Sequence, residues 1–162
     1  MRKEKIPVEM ALSKLATLCA KGEHCSGEML AKMLQWGLTE NEQAQVMAYL
    51  TEHHYIDDER FTRMFVHDKM YLNKWGSKKI IQALIGKRID KTIYQPILDE
   101  IDKKEWKTIL LPLLKSKQKS LNAHSDYERD MKLIRYALGR GFTYDVIRLC
   151  IDHADDIDPD LE

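Results

Sequence analysis

Two adjacent carboxylates, three thiols and a few histidines are the side chains most able to do chemistry in this sequence. Asp57 and Asp58 stand together in "YIDDERF", and paired carboxylates can hold a divalent cation or divide acid and base roles. They also stand, with Glu59, just before the apolar-periodic run from Phe61. A helix start collects acids there, because its first-turn N–H groups carry positive partial charge. Capping explains both residues without catalysis. His24 beside Cys25, and His53-His54 before Tyr55, resemble metal ligands only superficially, since no Cys-x-x-Cys or His-x3–5-His pair accompanies them. The sequence contains no Gly-x4-Gly-Lys-Ser/Thr loop and no Gly-x-Ser-x-Gly elbow, so nucleotide hydrolysis and esterase chemistry have no anchor. The expectation is a protein that is not an enzyme, with no catalytic residue, cofactor or metal.

The remaining chemistry is ionic. The formal net charge is +0, yet Lys69–Lys91 holds seven basic residues against Asp90 alone, and Lys103–Lys119 holds six lysines against Glu105. Asp152–Glu162 holds six carboxylates and no Lys or Arg. A basic middle suits a polyanion or an acidic protein surface; solvated helix faces with an acidic end fit the same counts. Lys78 and Lys79 fall in a helix's first turn, an unfavourable end for cations, which favours a partner. With Lys69, Lys74, Lys87 and Arg88 they form one candidate binding patch. Lys132, Arg135, Arg140 and Arg148, around Gly141, form a second. Trp36, Tyr71 and Trp75 lie beside these cations and could stack on bases, although packing at a helix end is the more ordinary role.

The elements that carry these residues are written three times. Aligning "LQWGLTENEQ", "IGKRIDKTIY" and "LGRGFTYDVI" on Gly37, Arg88 and Gly141 gives offsets of 51 and 53 residues. Leu30, Ile81 and Ile134 precede the anchors at one matched position, and Leu34, Ile85 and Leu138 at another. Leu38, Ile89 and Phe142 follow directly. Thr39, Asp90 and Thr143 come next, all good N-caps, and Ser26, Ser77 and Asp130 stand at a second expected cap position. Each copy reads as a helix, a turn of about three residues and another helix, with Gly37 and Gly141 relieving the left-handed conformation past a helix end. Arg88 must tolerate that conformation or change the turn. A third helix precedes each pair: about Val8–Ala20, then one capped by Asp57, then one through Trp106, Ile109, Leu110 and Leu113, where Pro112 predicts a kink or break. The expected fold is all-α, with three tandem three-helix repeats (about nine helices) stacked into an elongated, curved array. The boundaries are 7–56, 57–102 and 103–152, followed by an acidic tail at 153–162. No apolar run spans a bilayer and no signal peptide is visible, so a cytoplasmic chain with reduced Cys19, Cys25 and Cys150 is expected.

"YIDDERF", then "WGSKKIIQALIGKRI", then "LIRYALGRGFTYDVI" resemble the RecX family of recombination regulators. That family's pattern runs Tyr-hydrophobic-Asp-Asp-x-x-Phe, then Gly-x-x-Lys-Ile-x-x-x-Leu, and here Asp57, Asp58, Phe61, Gly76, Lys79, Ile80 and Leu84 fall in register. Arg88 departs from the usual Gly, and Ser77 from a common Pro. The resemblance implies a regulator that binds the RecA recombinase filament in its helical groove and inhibits recombinase and coprotease activity. It further implies a monomer without membrane contact, with single-stranded DNA as a second candidate partner. The rival reading is a helix-turn-helix DNA-binding protein. Against it, the helix after Thr143 carries only Arg148 as a basic residue, where a recognition helix would normally carry several base-reading side chains.

Overall fold

The structure, a computed structural model, describes residues 5–151, so the tail boundary expected at 153–162 lies outside the described residues. Among the described residues there are nine α-helices and no strand: α1 Val8–Lys21, α2 Ser26–Gln35, α3 Glu40–Glu52, α4 Asp58–Tyr71, α5 Ser77–Gly86, α6 Lys91–Asp99, α7 Lys103–Ser120, α8 Asp126–Gly139 and α9 Tyr144–Cys150. The all-α helical repeat expected from the sequence is the fold. No helix among the described residues is long and apolar enough to cross a membrane.

The three matched phrases become the same turn. Gly37 N–H donates to Leu34 O at 3.1 Å and Leu38 N–H to Met33 O at 3.1 Å. Arg88 and Ile89 repeat this with Ile85 O and Leu84 O, both at 3.0 Å, and Gly141 and Phe142 with Leu138 O and Ala137 O, at 2.9 and 3.1 Å. Each is a Schellman turn, with its central residue at positive φ: 81° at Gly37, 62° at Arg88 and 93° at Gly141. Arg88 therefore keeps the geometry and bears the left-handed conformation. The residue after each anchor is buried, Phe142 at 1% exposure.

Thr39, Asp90 and Thr143 directly precede α3, α6 and α9 as expected, whereas none of Ser26, Ser77 and Asp130 is an N-cap, Ser77 being the first helical residue of α5. Thr39 Oγ1 accepts from Glu42 N–H at 3.2 Å while Glu42 accepts from Thr39 N–H at 3.0 Å, a capping box. Asp57 accepts from Arg60 N–H at 3.1 Å and starts α4. Asp130 is no cap. α8 begins a turn earlier because Ser125 Oγ accepts from Glu128 N–H at 3.1 Å and Glu128 reaches back to His124 N–H at 3.1 Å. Asp130 is instead buried inside α8, paired with Arg129 at 3.1 Å. Ser26 is the first helical residue of α2, whose N-cap is Cys25. α7 runs unbroken through Pro112.

The chain divides into two compact units: residues up to Met64 together with Leu84–Tyr94, and Phe65–Ala83 together with residues from Gln95 on. In the first, α1 and α2 pack on α3 around Ala11, Leu15, Met29, Met33, Leu38, Val46, Leu50 and Ile56. In the second, α7 packs on α8 and α9. It buries Trp106, Ile109, Leu110 and Leu114, with Leu114 taking the place expected of Leu113. Each such side chain contributes about 1.5–3 kcal/mol on burial.

Candidate partner-binding surface

Within the second unit, the loop between α4 and α5 collects half of the expected basic residues. Its path is set by Trp75 N–H donating to Lys69 O at 3.0 Å and by Lys74 at φ 58°. Arg140 holds it from outside, donating to Asn73 O at 2.6 Å and to Lys74 O at 3.0 and 3.1 Å. Gly76 then meets the α8–α9 turn. Its N–H donates to Arg140 O at 2.8 Å, and Lys78 N–H to Gly141 O at 2.9 Å. The positive end of α5 is thus closed by carbonyls from the negative end of α8, which offsets the cost of placing Lys78 and Lys79 there.

Around this junction Lys69 Nζ lies 4.9 Å and Lys79 Nζ 4.7 Å from the centroid of the Trp75 ring. Cation–π attraction, roughly 0.5–1 kcal/mol each at an exposed site, holds two like charges against one indole. Lys74 and Lys78 are exposed beside them. Lys69, Lys74, Lys78, Lys79 and Arg140 therefore form one cationic cluster centred on Trp75. Arg140 spends its guanidinium on loop carbonyls, so its work is to shape the cluster.

Lys87 and Arg88 belong to the first unit. There Lys87 Nζ lies 3.6 Å from Glu28 and 5.8 Å from the Phe61 ring. Burial would raise the Glu28 carboxyl, but contacts from His24, Cys25 and Lys87 outweigh it and hold it below its ordinary value. Lys132 donates to Asn122 O at 2.7 Å and pairs with Glu128 at 3.1 Å. Arg148 pairs with Asp145 at 3.1 Å, and Arg135 is exposed on α8.

The residues that suggested catalysis have structural work. Asp58 accepts from Ser26 N–H at 2.7 Å and from Ser26 Oγ–H at 2.5 Å, capping α2 across 32 positions of sequence. Spacing gave no signal for that role. Cys25 is fully buried, its thiol pushed up to about 11 by burial, and donates to Lys87 O at 3.8 Å. His53 stacks on Tyr49 at 3.9 Å. Among the described residues no group of three or more His, Cys, Asp or Glu could hold a metal ion. Tyr71 donates to Glu105, and Trp36 lies under Lys14 at 5.5 Å.

The model for the RecX second three-helix domain matches residues 57–95, and that for the RecX third three-helix domain matches residues 108–151. Regulatory protein RecX of Clostridium botulinum is 32% identical over 120 residues, which are 73% of this chain and 56% of that protein; the chain thus spans about half the length of such relatives. Regulatory protein RecX of Acinetobacter baylyi is 29% identical over 147 residues, covering 88% of this chain and 89% of that one. The crystal structure of RecX from Lactobacillus salivarius superposes with a TM-score of 0.81 at 20% identity, covering 93% of this chain and 97% of that one. A second crystal structure of regulatory protein RecX gives 0.81 at 16% identity, over 90% and 73%. At these identities the structures speak for the fold alone. Matched by two RecX domain models across the Asp57-Asp58 cap and the Gly141 turn, the chain belongs to the RecX family of regulatory proteins.

Proposed function

We propose that this protein binds the RecA recombinase filament, lies in its helical groove, and inhibits recombinase and coprotease activity. Family membership supports the partner, and the cluster around Trp75 supports the manner of binding. Four lysines presented beside an aromatic ring suit a phosphate backbone or an acidic filament wall. A role without catalysis is consistent with Asp57, Asp58 and Cys25 all being engaged in capping or burial. The helix-turn-helix reading finds no support in α9, whose single basic residue, Arg148, is tied to Asp145.

The test uses Lys74→Glu with Lys78→Glu. Both residues are exposed, and neither ammonium packs on Trp75. The pair of reversals should weaken inhibition of RecA strand exchange and of coprotease cleavage about tenfold or more with helical content unchanged. Full inhibition by the folded double variant would remove this surface from the mechanism. Loss of inhibition should also accompany added salt if phosphates are contacted.

A further inference from the structure

The loop between α4 and α5 carries a side chain that the charge of the Trp75 cluster does not explain. Leu72, the residue just past α4, is 76% exposed, more than any other large apolar side chain among the described residues. A single exposed leucine is ordinary on a protein surface. Here, however, the chain is fastened on both sides of it. Before it, Tyr71 donates its phenol O–H to Glu105 of α7. After it, the Asn73 and Lys74 carbonyls accept from the guanidinium of Arg140, the C-cap of α8. Its own N–H donates to Asp68 O at 2.8 Å. Lys74, at φ 58°, bears a left-handed conformation within the same loop. Ties to two other helices thus hold one leucine out in solvent, between Lys69 and Lys74 in the sequence.

We propose that Leu72 is the apolar anchor by which this surface docks on a protein. It enters an apolar socket of the partner, and the lysines around it face carboxylates on the socket's rim. An anchor whose backbone is fixed beforehand loses little freedom on binding, as a docking residue requires. A nucleic acid suits the surface less well. The first-turn amides that would hold a phosphate are spent, Gly76 N–H on Arg140 O and Lys78 N–H on Gly141 O. The indole on which a base would stack already carries two ammoniums. This docking rests on the preceding reading and narrows it: Leu72 meets RecA protein, not the DNA inside the filament.

Leu72→Ser tests the anchor, with Leu34→Ser as control, a leucine 64% exposed on α2. Binding of the full chain to RecA filaments assembled on oligothymidine should weaken about tenfold or more in Leu72→Ser, with helical content unchanged. The loss should be the same at low and at raised salt, because burial of a leucine is not screened. Binding to oligothymidine without RecA should not change, and Leu34→Ser should bind filaments like the parent. Filament binding that survives Leu72→Ser but is weakened by Lys74→Glu with Lys78→Glu would overturn the anchor and leave the RecA reading standing. A wild-type chain that ignores filaments would sink both. An equal loss on free oligothymidine would make the surface a nucleic-acid site, and an equal loss from Leu34→Ser would make it general apolar adhesion; either overturns the proposal.

Discussion

Asp58 shows how a residue that looks catalytic can be tertiary glue. It satisfies two donors at the start of α2, and removing it leaves Ser26 N–H partly buried without an acceptor. Asp58→Ala should destabilise the protein by about 1–3 kcal/mol in urea titration, with Asp58→Asn milder. Arg88 is the opposite case, a side chain bearing a conformation it does not suit. Arg88→Gly should raise stability by about 0.5–1 kcal/mol, the relief of a left-handed non-glycine residue less the extra entropy of glycine in the unfolded chain. Glu42 is set by two contacts. The Lys5 ammonium at 2.7 Å, foremost, and the Thr39 N–H hold its carboxyl down at about 2. A depressed carboxyl stabilises above its ordinary pKa near 4.5, and that contribution fades as pH falls through about 2. Carboxyl NMR titration should find the low midpoint, and Lys5→Ala should move it upward.

The turns show what single residues cannot. The three anchors were legible as a repeat because a Schellman turn demands particular types at fixed offsets: a residue tolerant of positive φ, an apolar residue after it, then a cap. Arg88 was placed correctly for the same reason, as position outweighed type. What the turns meet was not legible, because long-range contacts leave no local spacing. A Cβ on Gly27 would lie 2.2 Å from Lys87 O, and one on Gly76 would lie 2.2 Å from Phe142 N. Gly27→Ala and Gly76→Ala should therefore each cost about 1–3 kcal/mol or more, since neither backbone neighbour can yield. Gly86, a helical residue with open space where its Cβ would go, is the control. Gly86→Ala should stabilise by about 0.5–1 kcal/mol, so thermal melts of the three variants should split two ways. Asp130 was misplaced because an acid at a matched offset looks like a cap, while the actual start of α8 was written in Ser125 and Glu128.

For the whole chain, zero net charge conceals three separate electrostatic provinces. Composition showed the basic middle and the acidic end, and the structure sorted the cations within them. Lys69 and Lys79 crowd Trp75, whereas Lys132 and Arg148 are paired with carboxylates. Lys87 and Arg88, which sequence groups with the Trp75 lysines, fall in the first compact unit, and those lysines in the second. One feature reaches further than charge. Just before every anchor, the helix-ending carbonyl receives a donor from elsewhere: Ile6 N–H at Trp36 O, the Cys25 thiol at Lys87 O and Gly76 N–H at Arg140 O. The last two start at matched positions, just ahead of α2 and of α5, and end at the next anchor turn, so a duplicated segment would arrive with both plug and socket. Proteins built this way can grow or shrink by whole modules across evolution, whereas a piecemeal insertion within a module would break the join.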